Sequence, residues 1–124
     1  SKIKKKIKYT YVYLITKKNK IYLQKRDKKG MLASMLGLPT TDWSNKHISK
    51  KQIIDSRPVN GIFKEYNNSL IYSFSHFDLK IKAGLLTVNK NFSSRGSWHS
   101  LNNINKIGIP TLMKKIIKFY LFSS

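Results

Sequence analysis

Between residues 70 and 82 the chain reads LIYSFSHFDLKIK, and its apolar phase changes halfway through. Leu70, Tyr72 and Phe74 fall on even positions, whereas Phe77, Leu79 and Ile81 fall on odd ones. Alternation with period two predicts a half-buried strand on each side of the change. One continuous strand is excluded, because a one-residue slip would turn every later side chain to the opposite face. The break therefore predicts a tight turn or bulge at Ser75-His76, with a hydroxyl and an imidazole between two aromatic anchors, Phe74 and Phe77. Such irregularities recur beside functional sites.

The other segments are expected to build a sheet around this stretch. Residues 9–16, YTYVYLIT, are β-branched and aromatic throughout, which predicts a strand buried on both faces. After the polar KKNK, residues 21–26 read as the returning strand of a hairpin. Residues 27–41 form a loop punctuated by Gly30, Gly37 and Pro39, with a short extended piece at 35–38. Met31, Leu32, Met35 and Leu36 are expected to pack under the sheet or against a partner, and Trp43 to sit at a core edge rather than form a binding platform. Ser49 and Gln52 have capping-box spacing, so a short helix is expected over 49–56, ended by Pro58. Residues 61–66 suit a strand. The strand from Phe77 runs on to Val88, with a bend or bulge at Gly84. Residues 89–97 read as loop, and 98–105 as a short extended piece followed by a turn. Pro110 opens a helix to residue 122 with Met113, Ile116, Ile117, Tyr120 and Leu121 on one stripe and Lys114, Lys115 and Lys118 opposite.

Composition limits the function classes. A chain of 124 residues, 40% hydrophobic and 12% aromatic, suits one folded domain. We divide it into a basic tail or linker at 1–8 and a single domain at 9–124. No apolar run is long enough to span a membrane, no signal-peptide core follows the basic start, and there is no cysteine. A cytoplasmic location is expected. The net charge of +20 favours a polyanion, nucleic acid before anionic membrane.

Catalytic patterns are missing along the chain. The acidic residues are Asp27, Asp42, Asp55, Glu65 and Asp78, no two of them closer than ten positions. Neither a carboxylate pair nor a magnesium cage has local support. His47, His76 and His99 lack metal-ligand spacing, and no phosphate-cradling glycine loop is present. The chain reads as a binder with no catalytic residue, no metal and no cofactor of its own.

Three segments together resemble a known family. LQKRDKKGMLASMLGLP at 23–39 resembles the opening of the C-terminal domain of MutY-type adenine DNA glycosylases. Phe74-Ser75-His76-Phe77 is similar to that family's Phe-Ser/Thr-His-Phe loop, and Trp98 with the later GIPTLMKKII to its closing strand and terminal helix. The likeness covers residues 8–122. Ala33-Ser34 replaces the usual glycines, Leu36 replaces a common Trp, and KEYNNSL is a longer insert than expected.

The resemblance implies an α/β (α+β) Nudix-like fold, a mixed twisted sheet flanked by helices with a C-terminal helix at about 110–122. It keeps the architecture of MutT-type hydrolases without their glutamate-bearing helix, since TTDWSNKHISKKQIID contains no glutamate. It implies recognition, in base excision repair, of 8-oxoguanine opposite adenine in duplex DNA. Oxidation makes N7 of guanine a donor and adds an oxygen at C8, where guanine shows only acceptors on that edge. Ser75 is then the discriminating contact, His76 its positioner and Phe74 the packed anchor, with Lys25, Arg26, Lys28, Lys29 and Arg95 on the DNA backbone. Adenine excision and the iron–sulfur cluster would belong to a separate N-terminal glycosylase domain, the expected partner in the same polypeptide. A general basic nucleic-acid-binding protein is the alternative, and an active Nudix hydrolase on oxidised nucleotides a more distant one.

Overall fold

The computed structural model describes residues 5–26, 32, 34–90, 92 and 95–122. Its centre is strand β1, Lys6–Lys17, whose residues Tyr11 to Ile15 are at most 1% exposed. A β-branched and aromatic run with no polar face can be satisfied only by cover on both sides, and the layers packed on the two faces of the sheet supply it. β1 turns through Lys18-Asn19, with Lys18 at φ 55°, into antiparallel β2, Lys20–Lys25. β3 is Leu36–Gly37, α1 Lys50–Asp55, β4 Ile62–Glu65, β5 Leu70–Ser73, β6 Phe77–Thr87 and β7 Ser97–Ser100. A 3-10 segment, Leu101–Lys106, leads to α2, Thr111–Ile117, which widens into a π turn at Lys118–Phe122. The sheet runs β3-β2-β1-β6-β4, with β5 also on β6 and β7 also on β2. β1 and β6 are parallel over Lys6–Phe77 to Thr16–Thr87, so the sheet is mixed as expected.

The two faces carry separate cores. On one, Leu112, Met113, Ile116, Ile117 and Tyr120 pack on Val12, Leu14, Leu79, Ile81 and Ala83. Each such buried side chain contributes about 2 kcal/mol, which holds a short helix that propensity alone would not. On the other face Ile53 of α1 joins Tyr11, Tyr13, Ile15, Leu86 and Val88. Tyr13 Oη donates to the Ile53 carbonyl, and burial pushes its hydroxyl up to about 12. The capping box of α1 is complete: Ser49 Oγ accepts from Gln52 N–H at 3.1 Å, and Gln52 Oε1 from Ser49 N–H at 2.9 Å.

Several expectations change. β1 begins at Lys6 rather than Tyr9, because Lys6, Ile7 and Lys8 pair with Phe77, Asp78 and Leu79. α1 is as expected, running from its Ser49 N-cap to its Ser56 C-cap ahead of Pro58. Gly84 makes neither bend nor bulge; it stays in register with Tyr13 and with Glu65. A Cβ there would run into the Phe63 ring and lie 2.6 Å from Tyr11 Oη, so the glycine serves a close approach. Leu32 and Leu36 pack on the core while Met35 is exposed; Met31 lies outside the described residues.

Candidate nucleic-acid interface

The phase change at Ser75-His76 is a two-residue hairpin. Leu70 pairs with Ile81 and Tyr72 with Leu79, even positions against odd, so the switch in parity keeps both apolar sets on one face. Phe74 N–H donates to the Phe77 carbonyl at 2.8 Å and closes the loop. Ser75 and His76 are exposed at its tip. Below the tip, Ser73 and Lys5 hold the Asp78 carboxyl below its usual range, Ser73 by a side-chain hydrogen bond and Lys5 by hydrogen bond and charge at 3.4 Å. Lys5 Nζ also donates to the Phe74 carbonyl at 2.9 Å.

The anchors form a cluster of four half-buried rings. Phe74 lies 4.9 Å from Phe77, 5.1 Å from Tyr72 and 5.7 Å from Trp43, centroid to centroid. Cations lie over three of these rings: Lys8 over Phe77 at 4.7 Å, Arg26 over Trp43 at 5.4 Å and Lys115 over Tyr72 at 5.3 Å. Trp43 is thus a core-edge residue that also joins Arg26 to the hairpin. Arg26 Nη1 donates to Thr40 Oγ1 at 3.2 Å. Lys25, Arg26 and Arg95 line one polar cleft of about 210 Å³ with Gln24, Thr40 and Asp42.

Of the residues expected at the site, Phe74, Ser75 and His76 are therefore together on the hairpin, and Lys25, Arg26 and Arg95 together at the cleft. Lys28 and Lys29 lie outside the described residues. Sequence reasoning missed Lys5, Lys8 and Lys115. Lys5 and Lys8 sat in a run read as a tail, and Lys115 on a helix face read as solvated.

The magnesium implied by the Nudix fold does not suit the residues at the corresponding place. α1 reads KKQIID, and its one carboxylate, Asp55, is 2.6 Å from Lys51. Among the described residues no three His, Asp or Glu side chains lie close enough to hold a metal ion. No helix of the described residues is long and apolar enough to cross a membrane.

A conserved-domain match to the NUDIX domain covers residues 10–119, and the chain belongs to that family. Its mixed sheet and C-terminal helix are those of the Nudix-like fold. The adenine DNA glycosylase of Buchnera aphidicola subsp. Schizaphis graminum is 29% identical over 129 residues, covering 96% of this chain and 36% of that relative. The chain thus spans about a third of the length of the curated relative it matches. The C-terminal domain of mouse MUTYH, solved in complex with human PCNA, superposes with a TM-score of 0.70 at 15% identity, over 91% of this chain and 86% of that one. The NUDIX domain of Shewanella oneidensis NrtR, complexed with ADP ribose, gives 0.66 at 10% identity over 89% and 83%. At such identities the two superpositions establish the fold alone.

Proposed function

We propose that this chain is the lesion-recognition domain of a bacterial adenine DNA glycosylase acting in base excision repair, and that it recognises 8-oxoguanine opposite adenine in duplex DNA. The whole polypeptide is then an N-glycosyl hydrolase of the cytosol, with excision performed by a glycosylase domain outside this chain. One observation carries the reading: Ser75 and His76 stand exposed on a closed hairpin over packed, cation-flanked rings. The Ser75 hydroxyl can accept from N7–H of the oxidised base, whereas opposite ordinary guanine it must donate to N7. Backbone N–H groups of Ser75 or His76 would meet the oxygen at C8. The cations supply affinity without sequence information.

Binding of duplexes carrying 8-oxoguanine:adenine or guanine:adenine tests this. The preference should be modest, since one net hydrogen bond contributes about 1 kcal/mol, or roughly fivefold. Ser75→Ala should abolish the preference and leave the salt dependence intact. Equal loss on both duplexes would remove Ser75 from the role. A Nudix hydrolase ranks lower because α1 carries two lysines and one ion-paired aspartate. Phosphate release from 8-oxo-dGTP with magnesium above background would reverse that order.

A further inference from the structure

Three cations distant in sequence converge on the ring cluster beneath the hairpin. Lys8 comes from β1, Arg26 from just after β2, and Lys115 from α2. Each lies over a different ring, and all three rings lie within 6 Å of Phe74. Lys5, on the Phe74 carbonyl, adds a fourth cation but shares Asp78. The ion pairs Lys5–Asp78 and Lys51–Asp55 involve neither Lys8 nor Lys115. A ring beneath an ammonium attracts it and limits the rotamers of a long side chain, freedom that a loose surface lysine loses on contact.

We propose that Lys8 and Lys115, with Arg26, are a pre-ordered set of phosphate contacts that seats a nucleic-acid backbone across the ring cluster and so presents one base to the hairpin tip. The inference rests on the reading of that hairpin as the lesion-facing loop, and it adds two contacts outside the lysine and arginine groups evident in the sequence. Duplex DNA is the occupant favoured by charge: cations held at fixed points over the rings suit a polyanion of regular spacing.

Affinity for both duplexes, measured by fluorescence anisotropy over a range of salt, tests the set. Lys8→Gln and Lys115→Gln should each reduce the slope of log K against log salt by about 0.9 on either duplex, with the ratio between duplexes unchanged. Lys8→Arg and Lys115→Arg should keep the slope. Lys90→Gln should leave it unaltered, because exposed Lys90 lies beyond the far end of β6, about 30 Å or more from Phe77. Unchanged slopes for Lys8→Gln and Lys115→Gln, or an equal fall for Lys90→Gln, would overturn the proposal in favour of diffuse attraction. Tighter binding to anionic vesicles than to either duplex would overturn it too. A chain with no lesion preference but with the expected slope changes would retain this seat and lose the lesion reading; the opposite pattern would do the reverse.

Discussion

Phe74 is the residue on which the hairpin most depends. Its N–H closes the loop, its carbonyl holds Lys5, and its ring touches three others. Because it is half-buried, Phe74→Ala should cost about 2 kcal/mol, below the ~3–5 kcal/mol of a fully buried Phe. Chemical denaturation measures this, and faster exchange of the Phe77 and Asp78 amides should accompany it. Asp78 gives the loop an acid dependence. Its carboxyl titrates below the usual range in the folded chain, so its contribution is complete above the ordinary carboxylate pKa and is lost as pH falls through the depressed folded value. Asp78→Asn should remove that acid-side loss of stability, checked by melting the chain from pH 5 to pH 2. Ser75 and His76 were legible in the sequence, because a parity switch between aromatic anchors is a local signal. Trp43 was only half legible: its place at the core edge could be read, but Arg26 over its ring depends on two segments meeting in space.

At the level of elements, local patterning recovered the strands and both helices, and failed where pairing is remote. Lys6 to Lys8 look like a solvated tail until Phe77 to Leu79, about seventy residues later, provide the neighbouring strand. Gly84 was read as a kink because sequence shows that a side chain is missing but not what occupies its place. Gly84→Ala should destabilise the chain by about 1–3 kcal/mol, since Tyr11 is fully buried and cannot easily yield. Thermal or denaturant unfolding checks it. The capping box was read correctly from Ser49 and Gln52 alone, and Ser49→Ala should cost about 1 kcal/mol by the same measurement. The end of α2 differs from expectation at the Lys118–Phe122 π turn. There the Tyr120 hydroxyl lies within donating distance of the Asn68 and Ile81 carbonyls, a tie that no helical periodicity reveals.

Taken whole, the molecule is a Nudix fold whose acidic equipment is sparse and in which Lys8, Arg26 and Lys115 meet around the hairpin rings. The fold class was legible through the family resemblance of residues 23–39, 74–77, 98 and 108–117, with which the local order of strands, loop and terminal helix agrees. The distribution of charge over the surface was not, since residues 8, 26 and 115 meet only after β1, β2 and α2 have packed. The central claim is that the hairpin end of the sheet meets DNA and that Ser75 distinguishes the oxidised base. Amide chemical shifts of the labelled chain, followed during titration with 8-oxoguanine:adenine and guanine:adenine duplexes, test it most directly. Both duplexes should move residues around Lys8, Arg26 and Lys115, and only the lesion duplex should add a large shift at Ser75 and His76. Shifts centred instead on the far end of the sheet, around Val59 to Ile62 and Thr87 to Lys90, or identical responses of Ser75 to the two duplexes, would contradict the account.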